Sequence, residues 1–274
     1  MISKMISKKT LAITAMALLL SQQSSADGWY IGGGYHNQIH NSTSALKVKI
    51  GTADATAANK VSINDRDASN TKGQLIDKYK GDYNPPFAAN VAIGYAGELN
   101  DHSYKAELEG MYSSIKVDNI GLASSQMTVS YIKDPGQGGT KNYGVIVNHD
   151  QIENASLMAN VYHHWKSDRF SFSPYIGIGG GMTRMKMFEQ TSWKPAYQVK
   201  AGLDYKITDD TNVHIGYRHF GAIGTDIKLK AGEITNGQKS AEISTTNTQD
   251  ITISNKLFAT HSVELGLTVN FASQ

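Results

Sequence analysis

Seven charged residues recur at strand-like spacing inside otherwise apolar stretches: Lys105, Glu107, Glu109, Lys200, Asp204, Arg218 and Glu264. Carboxylates held near cations can exchange protons, line an ion path, or neutralise one another. Spacing decides among these. Lys105, Glu107 and Glu109 are two residues apart, so on a strand they share one face, while Tyr104, Ala106, Leu108, Gly110 and Tyr112 share the other. Three of the seven are basic and four acidic, a nearly self-compensating set. An interior just wide enough for side chains forces such charges to pair. The primary reading is a lumen charge network; the alternative is a narrow ion-conducting path lined by the same residues.

Other chemistries fit less well. Gly177-Ile178-Gly179-Gly180-Gly181 lacks the final glycine of a dinucleotide loop, where Met182 stands, and no α/β unit surrounds it. Glycine there is expected to make room or allow curvature. His36 with His40, and His163 with His164, have no third ligand at a recognised spacing, and adjacent strand residues point to opposite faces. Serine and histidine are plentiful, but strand periodicity assembles no Ser-His-acid group, so a lipid-modifying enzyme is the least favoured reading. No catalytic residue, metal site or cofactor is assigned. The sequons at Asn41 and Asn154 are expected to be idle.

The elements that carry the seven charges are strands. In His261–Phe271, apolar residues fall at 263, 265, 267, 269 and 271, and Glu264 falls among the polar positions between them. Such a strand is long enough to cross a bilayer obliquely, which takes about 9–11 residues, and Glu264 must face away from lipid. The same alternation appears over 29–36, 87–95, 104–113, 155–165, 172–181, 197–207 and 213–218. The connections alternate between short polar turns (98–102, 166–169, 208–211) and longer segments (41–86, 116–154, 186–195, 221–259). That asymmetry predicts an all-β fold: an eight-stranded antiparallel transmembrane β-barrel with long extracellular loops and short periplasmic turns. The outer segments are expected to be loops, with Asp134–Gly139 a strong turn and breaker cluster.

Aromatic residues add a second constraint. Phe87 and Tyr95, Tyr104 and Tyr112, and Tyr197 and Tyr205 are each eight residues apart on the apolar face. Eight steps of about 3.3 Å, tilted by about 40°, give a height of roughly 20 Å, close to the apolar band of about 25 Å. Trp29, Tyr95, Tyr104, Trp165, Phe172, Tyr205 and Phe271 are expected in a periplasmic girdle. Tyr35, Phe87, Tyr112, Tyr197 and Tyr217 are expected in an outer one.

Bulk properties agree. Lys4, Lys8 and Lys9 precede an apolar run from Leu11 to Leu20 and then Ser24-Ser25-Ala26, so residues 1–26 read as a signal peptide and 27–274 as the barrel domain. The whole chain has 26 basic and 24 acidic residues, but the leader holds three of the lysines and no acid, leaving 23 against 24, a formal charge of −1. A nucleic-acid partner gains no support from that balance. There is no cysteine, hence no disulfide.

The stretches Pro174–Gly181, Ala196–Lys206, Gly216–Gly221 and His261–Leu267, with the opening Gly28–Tyr35, resemble the rickettsial surface-antigen family of outer-membrane proteins. The likeness covers the strands and none of the long insertions. One departure is that Ala272-Ser273-Gln274 follow Phe271, where many such barrels end on an aromatic residue. The resemblance implies an abundant surface-exposed antigen in the bacterial outer membrane that meets host cells or antibodies, with porin activity in some members. The expected partners are therefore outer-membrane lipid and, through the insertions, host-cell surface molecules or antibodies.

Overall fold

In the computed structural model, residues 28–43, 47–50, 53–54, 59–63, 66–67, 87–99, 102–116, 126–133, 141–148, 151–165, 171–187, 190–224, 227–234, 243–254 and 257–271 are described. Residues 1–26, which read as a signal peptide, lie outside them. In chain order the strands are β1 (Gly28–Thr43), β2 (Lys47–Ile50), β3 (Ala53–Asp54), β4 (Asn59–Ile63), β5 (Arg66–Asp67), β6 (Phe87–Leu99), β7 (His102–Lys116) and β8 (Gln126–Lys133). They continue as β9 (Lys141–Asn148), β10 (Gln151–Trp165), β11 (Phe172–Met187), β12 (Gln190–Lys206), β13 (Thr211–Ile223), β14 (Ile227–Ile234), β15 (Ile243–Ser254) and β16 (Leu257–Phe271).

Eight of these strands close into an antiparallel barrel in the order β1-β16-β13-β12-β11-β10-β7-β6. Each of the eight stretches with alternating polarity falls on one barrel strand, apart from Ile207, which lies just past the end of β12. Closure brings the first strand beside the last: Trp29 pairs with Phe271 and His36 with Glu264. A hydrogen-bonded row that leaves β1 at Tyr30 passes through Gly94, Glu107, Asn160, Gly179, Gln198, Phe220 and Thr260 and returns to β1 at His40. That ten-residue stagger amounts to roughly 33 Å along the strands against about 38 Å around them, a tilt of about 40°.

The faces sort as the alternation requires. Val91, Ile93, Leu108, Leu157, Ile178, Leu203, Ile215, Val263 and Leu265 are exposed on the outside. Glu107, Glu109, Asn160, Gln198, Arg218 and Glu264 are buried inside. A water-soluble fold inverts this arrangement; lipid around the barrel accounts for it. The turn after β12 is held by Ile207 N and Thr208 N donating to Thr211 O at 2.9 and 3.1 Å. There the hydrogen bond and charge of Lys206 hold the exposed Asp209 carboxyl below its usual range, at 2.9 Å.

The outer segments differ from the expectation of loops. Three of them contain strands that form a second eight-stranded sheet, in the order β3-β2-β15-β14-β9-β8-β4-β5. β8 and β9 pair from Gln126↔Asn148 to Lys133↔Lys141, and the Asp134–Gly139 breaker cluster lies outside the described residues. Short alternating runs such as Ile227-Lys228-Leu229-Lys230-Ala231 supply the strands, and Leu229, Ala231, Ile251 and Tyr143 are buried. The segment 186–195 is likewise not a loop. β11 and β12 pair from Phe172↔Tyr205 up to Met187↔Gln190, because inward Met185 and Met187 continue the alternation past the apolar band.

The lipid-facing assignment is checked by Ile178→Arg. Ile178 is 60% exposed in the middle of β11. A cation at that depth should lower stability by about 2–4 kcal/mol, read from denaturant unfolding in phospholipid vesicles; unchanged stability would contradict the outward placement.

Candidate functional site

All seven charges singled out in the sequence point into the barrel, and five of them, Glu107, Glu109, Lys200, Arg218 and Glu264, are linked in one group across it. β13 supplies Arg218, which is wholly buried. Its Nε and Nη2 donate to Glu264 on β16 at 2.8 and 2.9 Å, a bidentate fork, and Nη1 lies 2.6 Å from Glu109 Oε1 on β7. Nη1 also lies 3.0 Å from Met111 Sδ. Lys200 on β12, the cross-strand partner of Arg218, donates to Glu109 Oε2 at 2.7 Å. The same ammonium lies 3.7 Å from Glu107 and 3.8 Å from Glu264. Lys105 and Asp204 form a separate pair at 2.7 Å, with His164 3.6 Å from Asp204.

Neutral residues complete the set, and sequence reasoning had not singled them out. Asn160 donates to Glu107 and Glu109 at 2.8 and 2.7 Å. Gln198 donates to Glu109 at 3.0 Å, and Asn90 to Glu264 at 3.1 Å. Tyr30 donates to the second Glu107 oxygen at 2.9 Å, and Tyr162 donates to the first. The signal that could have found them was inward parity. Carboxylates packed in a lumen need several donors each, and the donors have to come from inward positions on neighbouring strands.

Glycine makes the space. A Cβ on Gly177 would strike the Tyr162 ring, one on Gly179 would strike the Asn160 amide, and one on Gly94 would strike Tyr30. The glycine run of β11 is thus a set of sockets for its neighbours on β10. Below the charged layer a cavity of about 40 Å³ remains, lined by Tyr30, Lys105, His164, Tyr175, Asp204 and His214 among others. It has room for a water molecule or two, since about 10–15 Å³ suffices for one.

The aromatic residues expected in the girdles sit outside. Trp29, Tyr35, Tyr112, Trp165, Phe172, Tyr205, Tyr217 and Phe271 are exposed, and Tyr95, Tyr104 and Tyr197 are partly so. The Phe87 side chain lies outside the described residues. Trp29 packs edge-on against Tyr95 at 5.7 Å, and Tyr104, His163 and Trp165 stack in a row. His163 and His164 do face opposite sides, the one in this row and the other beside Asp204. His36 is buried next to Gln38, 3.4 Å away, while the His40 side chain and that of Asn41 lie outside the described residues. Among the described residues no group of three or more His, Asp or Glu could hold a metal ion. Asn154, of the second sequon, is buried in the lumen beside Ser113.

A closed eight-stranded barrel, oily outside and filled by ion pairs inside, is an outer-membrane β-barrel. Residues 22–271 match the family described as "Surface antigen", and the chain belongs to that family. Fold and family together make it a surface protein of the outer membrane. Among solved structures it is similar to Neisserial surface protein A, at 13% identity over 89% of this chain and 97% of that one, with a TM-score of 0.40. It is also similar to the outer-membrane protease OmpT from Escherichia coli, at 9% identity over 92% and 99%, with a TM-score of 0.36. No curated protein sequence matches.

Arg218→Met tests the buried layer. Leaving Glu109 and Glu264 short of their shared cation should cost about 3–5 kcal/mol, while Arg218→Met with Glu264→Gln should recover part of the loss. Urea unfolding in vesicles measures both; a single variant as stable as the wild type would remove the case for this layer as a coupled unit.

Proposed function

We propose that the protein is a surface interaction protein: the barrel anchors it, and the stranded outer segments contact host-cell surface molecules or antibodies. The observation that carries this reading is the cross-lumen layer Arg218–Glu109–Lys200–Glu264, in which all four side chains are 6% exposed or less. A layer of matched charges, each donor aimed at an acceptor, suits a filled anchor better than a conduit. The cavity beside it, at about 40 Å³, has room for a water molecule or two and for no larger solute. A porin-like path for small solutes is therefore the weaker reading. Lipid modification is weaker still, because the lumen carboxylates are sealed from any lipid substrate.

Contact is assigned to the outer segments on physical grounds. Binding surfaces concentrate where a rigid scaffold holds chain away from the core, and about half of the residues after the leader lie in 41–86, 116–154 and 221–259. The barrel strands run 13–17 residues, beyond the roughly 9–11 needed to cross. They carry the outer sheet clear of the membrane.

Two measurements separate the readings. In planar bilayers the purified protein should give no sustained conductance; steady steps that vanish on Lys200→Met would overturn the filled-anchor reading in favour of a channel. Replacing residues 126–148, the β8–β9 hairpin, by a short glycine-serine turn should leave the heat-modifiable folded band on gels intact and abolish attachment of protein-coated beads to host cells. Full attachment by the folded variant would place the contact elsewhere.

A further inference from the structure

The lipid-facing surface carries an apolar groove of about 520 Å³, on the flank formed by β6, β7 and β10. Its floor comes from small residues at diagonal positions on adjacent strands, Ala89, Gly110 and Ala155, and its walls from Tyr112, Leu157 and Trp193. Gly110 has nothing nearer than 3.9 Å to the place where a Cβ would sit. Trp193 is 63% exposed.

The charge at the outer end of the groove has a direction. Along β11 the outward residues run Ile176, Ile178, Gly180, Met182 and then Arg184 and Lys186, all exposed. Arg184 is in register with Ala155 on one side and Trp193 on the other, so its backbone runs beside two residues that line the groove. Lys186 is one outward position further out, opposite Glu153. Two cations and one carboxylate leave a net charge of +1 there. Apolar volume toward the membrane centre with positive charge on the outer side matches the polarity of one lipid in the outer leaflet.

We propose that this groove is a binding site for a single anionic glycerophospholipid, with an acyl chain on Gly110 and Ala155 and the phosphate at Arg184 and Lys186. An exposed guanidinium suits a phosphate, because it offers a planar fork of donors. General coating by lipid needs neither the depression nor the charge pair. The site differs from the lumen layer in face, residues and partner, and does not depend on how the outer sheet is used.

Trp29, Trp165 and Trp193 are the three tryptophans of the chain, so Trp29→Phe with Trp165→Phe leaves Trp193 as the sole reporter. In vesicles, quenching of Trp193 by brominated-chain phosphatidylglycerol should show a relative association constant about fivefold above that for brominated phosphatidylcholine, the equivalent of about 1 kcal/mol for one net cation near the surface. Arg184→Ala with Lys186→Ala should bring the ratio to one. Gly110→Leu, checked for folding by its gel mobility, should weaken quenching by both lipids. Native mass spectrometry of the detergent-purified protein should retain one phosphatidylglycerol per barrel. Equal quenching by the two lipids, a preference that survives removal of both cations, or cross-linking showing a second copy of the chain seated on the groove would each overturn the proposal.

Discussion

The structure depends on placing one guanidinium between two carboxylates where water cannot compensate for error. Arg218 on β13 reaches Glu264 on the neighbouring strand and Glu109 on β7, across the barrel. Each ion gives up several kcal/mol of hydration to enter such a site, and filling the same space with apolar side chains would be about as stable or more so. What the arrangement secures is register. Sliding β13 by one residue would turn Arg218 into lipid and Tyr217 into the lumen, reversing every side chain on the strand. With Glu109 and Glu264 already positioned by their own strands, only one closure satisfies all three.

The same requirement explains the glycine-rich, weakly hydrophobic composition. Mean hydropathy is −0.36 for a protein that crosses a membrane. The oily residues occupy alternate positions only, and the others hold charges, amides and tyrosines. A bore of eight strands has little room, so several large inward groups face a glycine. Tyr30 lies over Gly94, Tyr162 over Gly177, and the Tyr175 hydroxyl close to both Gly202 and Gly216. Tyr30 and Tyr162 then serve as donors to Glu107, which links the packing of the lumen to its electrostatics.

How far the sequence foretells this follows from what period two encodes. Alternation assigns each residue to a face, so the inward placement of Lys105, Glu107, Glu109, Lys200, Asp204, Arg218 and Glu264 and the outward placement of Trp29 or Tyr217 are legible without a structure. Pairing is not. The contact between Arg218 and Glu109 spans strands that are not neighbours in the barrel, and it is set by the ten-residue stagger, which no single strand carries. The neutral donors Asn160 and Gln198 were readable as inward but had no charge to draw notice. The outer sheet was missed because its alternating runs are short and set among Asn, Thr and Lys. The β11–β12 hairpin runs past 186, where the outward face is basic at Arg184 and Lys186 while the inward face, Met185 and Met187, remains apolar, so the polarity of the two faces is reversed there.

That outer sheet changes what the surface segments are. β2–β5 come from the connection between β1 and β6, β8–β9 from that between β7 and β10, and β14–β15 from that between β13 and β16. Each connection joins adjacent barrel strands, so each alone could have been an independent hairpin. Instead β15 pairs with β2, β14 with β9 and β4 with β8, and three separate insertions become one sheet. The seams are unequal: β4–β8 pairs five residues, β15–β2 four, and β14–β9 only two, Gly232↔Gly144 and Glu233↔Tyr143. The β9–β14 seam is thus joined by the shortest ladder of the three. A residue change in one insertion therefore bears on the others through the strands it pairs with.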